Sequence, residues 1–180
     1  MEIEDRELVS RVLAGSTDDF RVLVERHQLS IFRFASALLG NREEAEDVTQ
    51  EAFLAAFANL SGYDSSRASF STWLFAIARN RCINFHKRRQ PIALNELDSI
   101  ADAMSADPIV SLELSQQLDR ALAALPLEQR SAFVLAEIED LPYAEIALLE
   151  QTSLGTVKSR IHRAKVRLQS LLDPAMRESK

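Results

Sequence analysis

Along most of the chain, apolar residues return every three or four positions, the spacing that puts them on one face of a helix. A short amphipathic stretch runs from Glu4 to Ala14 and stops at Gly15. Asp18 is then placed to cap a second helix, on which Phe20, Leu23, Val24, Ile31, Phe34 and Leu38 keep helical register until Gly40. A third helix is predicted from Arg42 to about Leu60. It turns Ala45, Val48, Ala52, Ala56 and Leu60 inward and Asp47, Gln50, Glu51 and Leu54 outward. The tract 61–69 is polar and rich in turn formers, and Ser69 or Ser71 can cap a fourth helix that continues to about Arg89.

Register is then lost. Residues 91–108 hold no sustained period and no Lys or Arg, and read as a flexible acidic linker. Apolar spacing resumes at Leu112, Leu118, Leu122 and Leu125. Pro126 is expected as the first residue of a helix ending near Glu137, followed by a short helix from Pro142 to Leu149 and a last one from Gly155 to Leu172. The fold class is therefore all-α: two small helical domains, 1–90 and 109–175, on either side of the linker. The two short helices joined by a tight turn, the second strongly basic, make the C-terminal one a helix-turn-helix.

Composition agrees with this division. The chain has 180 residues, 47% of them apolar, with only four Gly and five Pro, which suits long helices. One cysteine, Cys82, cannot build a disulfide framework. The first thirty residues mix charge with apolar positions, so neither a leader nor a membrane span is expected and the location expected is cytoplasmic.

A net charge of −6 looks unsuited to nucleic acid until its distribution is considered. Arg79, Arg81, Lys87, Arg88 and Arg89 fall together with no acid between them, as do Lys158, Arg160, Arg163, Lys165 and Arg167. Because phosphate attraction is screened within about 10 Å, two such patches can hold DNA whatever the total charge is.

On the last helix, Val157, Ile161, Ala164 and Leu168 form an inward stripe. Lys158, Ser159, His162 and Arg163 then lie opposite, with Arg160, Lys165 and Arg167 at the flanks. Donors in the middle and cations at the sides suit a major groove, base edges within and phosphates beside it. On the fourth helix, Leu74, Ala78 and Phe85 point inward, and Trp73, Asn80, Asn84 and Lys87 share another face with Arg88 beyond. Rings, amides and cations together suit single-stranded DNA, although Phe70, Trp73 and Phe75 could equally be core.

Nothing speaks for an enzyme. His27, His86 and His162 are far apart, there is no Gly-rich phosphate loop, and no Ser or Cys stands in a nucleophile motif. Cys82 and His86, one turn apart, are two metal ligands at most, so no metal or cofactor is expected.

Two groups of motifs resemble one family. The run Ala124 to Leu135, then Tyr143-Ala-Glu-Ile-Ala147, then Gly155-Thr-Val-Lys-Ser-Arg-Ile-His-Arg-Ala164 resembles the minus-thirty-five-binding domain of extracytoplasmic-function sigma factors of bacterial RNA polymerase. The run Asn41 to Phe53 and the run Phe70-Ser-Thr-Trp73 to Asn84 look like the polymerase-binding and minus-ten-binding segments of the same family. The resemblance implies that Thr156, Lys158, Ser159, His162, Arg163, Arg160 and Arg167 meet the minus-thirty-five element. It places Phe70, Trp73, Asn80, Asn84, Lys87 and Arg88 at melted minus-ten DNA. It sets Asp47, Gln50, Glu51 and Leu54 on the β′ clamp helices of polymerase, with the β flap as a second polymerase contact, and implies a cognate anti-sigma factor.

One departure stands out: the family usually has Leu-Gly at the helix-turn-helix turn, and this chain has Glu150-Gln151. Gly tolerates positive φ and Gln resists it, so a strained turn is expected. The linker, by the resemblance, threads the RNA path of polymerase. Its eighteen residues reach about 60 Å, comparable to about 18 base pairs, so one tether can serve two promoter elements. The rival reading is a regulator with a C-terminal helix-turn-helix and an N-terminal helical dimerisation or sensor domain, which leaves the basic helix 70–89 without a role.

Overall fold

A computed structural model describes residues 3–89 and 110–172; the linker expected at 91–108 lies outside the described residues, as do the last residues of the expected second domain. Eight α-helices are described: α1 (Asp5–Leu13), α2 (Asp18–Leu39), α3 (Arg42–Ala58), α4 (Phe70–Arg89), α5 (Val110–Ala123), α6 (Leu127–Glu137), α7 (Tyr143–Leu149) and α8 (Leu154–Leu172). No strand occurs among the described residues, and a single 3₁₀ turn, Leu60–Gly62, follows α3.

Local signals account for most boundaries. Gly40, at φ 68°, ends α2 in the left-handed conformation and donates its N–H to the Ser36 carbonyl. Asn41 then opens α3, its side chain accepting from the Glu44 N–H at 3.1 Å. Ser69 does the same for α4 through the Thr72 N–H, and Ser153 for α8 through the Thr156 N–H. Two expectations shift by one residue. Asp18 is the first residue of α2 rather than its cap, and Pro126 stands just before α6 rather than inside it.

The predicted stripes are the core. Leu23, Ile31, Phe34 and Leu38 of α2 pack with Ala45, Val48, Ala52 and Ala56 of α3 and Leu74 and Ala78 of α4, all buried. Phe34 and Phe75 meet edge to face at 5.4 Å, joining α2 to α4. In the second half, Val157, Ile161, Ala164 and Leu168 of α8 are buried with Leu135 of α6 and Ile146 of α7. Each fully buried Phe, Leu or Ile contributes on the order of 2 kcal/mol by leaving water, which holds these helices together more firmly than any surface pair.

The two halves also pack on each other, with α6 against α2, α7 against α4 and α5 against α2. Polar contacts tie the seam. Arg33 of α2 reaches Glu139 at 3.2 Å, Thr72 of α4 donates to Glu145 of α7, and Arg79 of α4 donates to Glu150 at 3.3 Å. The sequence pattern predicts two helical units joined by a tether, and leaves their packing on each other open.

Candidate nucleic-acid and polymerase interfaces

The last helix presents its chemistry as the periodicity requires. With Val157, Ile161, Ala164 and Leu168 buried, Lys158, His162, Arg163, Lys165 and Arg167 are exposed and Ser159 is half-buried. Thr156 sits in the first turn, its hydroxyl 2.9 Å from that of Ser153, so it also stiffens the helix start. Lys165 bonds Glu137 at 2.8 Å, which raises its pKa and ties one flank of α8 to α6.

Arg160 departs from the expectation of a phosphate contact. One Nη donates to Glu150 at 2.8 Å and the other to Glu128, so the guanidinium is spent on two carboxylates. Its role in this structure is to fix α8 to the turn and to α6. The reason is register: Arg160 precedes the buried Ile161 and lies toward the packed side of the helix.

The turn itself is strained as expected. Gln151 adopts φ 52°, one of two non-glycine residues with positive φ among those described, the other being Asp140. Glu150, at the position where an apolar residue would be expected, is buried, its side chain 0% exposed. It accepts from the Ser131 hydroxyl at 2.7 Å as well as from Arg79 and Arg160. A buried carboxylate persists only with such partners.

On α4 the expected site divides into two layers. Asn80, Asn84, Lys87 and Arg88 are exposed along one face, and Trp73 is half-buried beside them. Phe70 is 1% exposed and belongs to the core, so it cannot itself stack on a base. It lies under an aromatic cluster with Tyr63 at 5.7 Å, Trp73 at 5.8 Å and His27 at 5.5 Å. Tyr63 donates to the Ala68 carbonyl and so fixes the loop 63–69 over that cluster. Arg79 and Arg81 of the basic stretch are engaged, the first with Glu150 and the second with Glu51 at 3.3 Å.

An open cleft of about 530 Å³ lies beside this cluster, lined by Ile3, Glu4, Asp5, Arg6, Arg26, Tyr63, Ser65, Ser69 and Phe70. Its wall is braced by Asp5, which accepts from His27 at 2.7 Å and from Arg26. Burial alone would raise the Asp5 pKa, but the His27 and Arg26 contacts outweigh it and hold the carboxyl below its ordinary value. Ser65 and Ser69, both exposed, give that rim hydroxyls.

Asp47, Gln50, Glu51 and Leu54 are all exposed along α3, Leu54 to 70%. Sequence reasoning missed what continues this stripe. Phe57, one turn beyond Leu54, is 45% exposed and meets Phe20 edge-on at 4.9 Å. Gln50, Leu54 and Phe57 thereby form one wall of an apolar groove of about 500 Å³ between α2 and α3, with Phe20, Val24 and Phe53 inside it. The signal was present in the spacing 47, 50, 54, 57.

Cys82 and His86 do not converge on a shared site. Cys82 is wholly buried, which pushes its thiol up to about 12, and His86 Nε2 donates to the Leu38 carbonyl at 3.0 Å. Among the described residues no helix is long and apolar enough to cross a membrane.

Comparison with known proteins identifies the family. Residues 23–92 match the model for Sigma-70 region 2, and residues 115–168 that for Sigma-70, region 4. The chain is 34% identical to the ECF RNA polymerase sigma factor SigW of Bacillus subtilis, over 96% of this chain and 98% of that protein. It is 32% identical to the ECF RNA polymerase sigma-E factor of Escherichia coli, over 98% of each. Solved structures that are similar include two at 26% identity. CnrH in complex with the cytosolic domain of CnrY has a TM-score of 0.74, covering 94% of this chain and 97% of that one. RpoE in complex with the anti-sigma factor NepR, from Bartonella quintana, has a TM-score of 0.69, covering 90% and 99%. The match over 23–92 includes the basic helix 70–89, which the regulator reading left without a role.

Proposed function

The chain belongs to the extracytoplasmic-function sigma factors, and from that premise we propose which of its surfaces meets polymerase, which meets melted DNA and which meets duplex. It is an alternative sigma factor that initiates transcription. Sigma factors bind and position rather than catalyse, so the chain works with core polymerase on promoter DNA, in the cytoplasm, and needs no cofactor of its own.

Lys158, Ser159, His162 and Arg163 read the minus-thirty-five element in the major groove, and Thr156 and Arg167 hold its phosphates. The observation that carries this is the exposed cationic face of α8 opposite the buried Val157, Ile161, Ala164, Leu168 stripe. Arg160 contributes by holding α8 in place through Glu150 and Glu128.

Asn80 and Asn84 read an unstacked minus-ten base, Trp73 packs on the strand, and Lys87 and Arg88 hold its backbone. Phe70 supports Trp73 and Tyr63 from below. The cleft beside Tyr63 and Ser65 receives the base turned out of the stack, a role favoured by its size and its hydroxyl rim.

Asp47, Gln50, Glu51 and Leu54 dock on the β′ clamp helices, with Phe57 added to the contact, and the second domain meets the β flap. An apolar groove edged by acids suits an amphipathic helix with basic flanks. A cognate anti-sigma factor is proposed for the same surface. Support comes from similar proteins solved with bound partners, CnrH with the cytosolic domain of CnrY and the sigma factor RpoE with the anti-sigma factor NepR. On this reading the first domain runs to residue 90, just past the end of α4, and the second from residue 109, just before the start of α5.

The deciding experiment is reconstitution. Core polymerase plus the chain should start transcripts from genomic fragments that core alone ignores, and sequencing the starts should reveal paired elements. Full-affinity binding of duplex promoter by the chain alone, with no association to core, would overturn the reading.

A further inference from the structure

The least expected group in the molecule is the carboxylate of Glu150. It sits in the turn between α7 and α8, four residues after Ile146, and so in the register of the buried stripe. Its Oε1 accepts from Arg79 Nε at 3.3 Å and from the Ser131 hydroxyl at 2.7 Å, and its Oε2 from Arg160 Nη1 at 2.8 Å. Arg79 comes from α4 of the first domain; Ser131 and Arg160 belong to the second. One buried acid therefore binds a cation from each half.

The geometry sets a problem for promoter binding. Thr72 of α4 bonds Glu145 of α7, so the helix for melted DNA and the helix-turn-helix are in direct contact. Where two promoter elements take up the tether's reach of about 60 Å, roughly 18 base pairs of duplex, domains in direct contact cannot hold both. The halves must separate before both elements are held. On separation Glu150 keeps Ser131 and Arg160, so its charge is not orphaned, while Arg79 leaves with α4 as an uncommitted cation next to Asn80.

We propose that Glu150 is an acidic latch: in the free chain it holds the two DNA-binding domains together and masks Arg79, which on opening becomes a further phosphate contact of the minus-ten face. This rests on the reading of α4 and α8 as DNA-binding elements. The coupling is reciprocal: whatever draws the domains apart unmasks Arg79, and a strand held by Arg79 disfavours closure. Glu150 is also where this chain departs from the Leu-Gly turn of the family, so Glu150→Leu is a replacement the turn is expected to accommodate, with Arg160 still paired to Glu128.

The test uses the full chain with fluorophores at Ser61→Cys and Ser170→Cys, both exposed, while buried Cys82 stays unlabelled. Energy transfer should be high in the free wild type and fall on adding core polymerase. Glu150→Leu, and separately Arg79→Gln, should lower transfer in the free chain toward the core-bound value. Binding of a mixed-sequence single-stranded oligonucleotide by the free chain should tighten about five- to tenfold for Glu150→Leu, and the gain should vanish when Arg79→Gln is added. The latch is overturned if both variants, folded by circular dichroism, keep wild-type transfer. It is equally overturned if the free wild type already shows the core-bound value, or if Glu150→Leu opens the chain without tightening oligonucleotide binding. Failure of wild-type promoter-selective transcription would count against the sigma reading instead; unchanged transfer with transcription intact counts against the latch alone.

Discussion

Arg130, buried in the second domain, donates an Nη to the Leu38 carbonyl of the first, 2.9 Å away at the C-terminal end of α2. Its other Nη serves the carbonyls of Leu125 and Ala123, and His86 donates to the same Leu38 oxygen. One guanidinium thus satisfies three backbone acceptors, and the negative end of α2 receives a cation. Burial lowers the Arg130 pKa to about 10, since no carboxylate offsets its desolvation.

Arg130→Ala should therefore be among the more damaging single changes, lowering stability by about 2 to 4 kcal/mol, because it leaves the Ala123 and Leu125 carbonyls unpaired and the Leu38 carbonyl with His86 alone. Arg130→Lys should recover only part, because one ammonium cannot span the fork. Urea unfolding followed by circular dichroism measures both. A loss under about 1 kcal/mol for the alanine variant would mean that water replaces the guanidinium readily.

Alkaline pH offers a second test, at Cys82. The fold keeps its thiol neutral by burial, with a pKa of about 12 against an ordinary 9.0, so the unfolded chain releases a proton first as pH rises. A raised folded pKa gives stability that is complete below about pH 9 and is lost on the way to about pH 12. Between about pH 8 and about pH 10.5, wild type should lose about 2 kcal/mol more than Cys82→Ala. Parallel alkaline losses in the two proteins would show that Cys82 gains solvent before unfolding.

How much of this was legible depended on the kind of signal. Stripes such as Val157, Ile161, Ala164 and Leu168 are local periodicities, and all four are buried. Boundaries at Gly40, Asn41 and Ser69 carry their own capping chemistry. The fate of individual arginines was not legible. Arg79, Arg160 and Arg163 look alike in the sequence, yet only the first two meet Glu150, because that depends on how α8 packs on its own turn and how α4 of the other domain approaches it. Phe70 was ambiguous for a similar reason: an aromatic ring on a helix is core or surface according to what covers it, here Tyr63, Trp73 and His27. Glu150 is legible in the sequence as a turn residue, but its burial depends on cations that helical spacing does not bring to it, Arg79 of the first domain above all.

The polymerase face admits a test by charge. Asp47→Lys with Glu51→Lys should weaken core binding more than tenfold while moving the melting temperature little, since both residues are exposed and the Glu51 bond to Arg81 is a surface pair. Leu54→Asp should do the same by removing the apolar contact. Co-purification of the double variant with core at wild-type yield would move the docking surface elsewhere.

Asn80 separates melting from docking. Its amide is exposed on α4 beside the half-buried Trp73, so Asn80→Ala should leave closed-complex affinity nearly intact and slow open-complex formation. Permanganate reactivity of unpaired thymines reads this directly. Normal reactivity in the variant holoenzyme would take Asn80 out of the minus-ten site.

On the recognition helix, neighbouring arginines should fail in different ways. Arg163 and Arg167 are both exposed on α8, Arg163 opposite the buried stripe, where the proposed reading puts base edges in reach of its bidentate fork, and Arg167 one turn later toward the flank, where that reading puts phosphates. Arg163→Ala should cost about 1 to 3 kcal/mol on the preferred minus-thirty-five element and less on a mutated one, narrowing the gap between them. Arg167→Ala should weaken both DNAs alike and reduce the salt slope by about one. Arg160→Ala follows a third pattern. It removes a partner from buried Glu150, so stability should fall together with affinity, and the salt slope should change little. Holoenzyme binding to matched and mutated elements across a salt series resolves all three. Equal losses on both DNAs for Arg163→Ala would make it a phosphate contact, and α8 would have to sit rotated in the groove about its Val157 to Leu168 stripe.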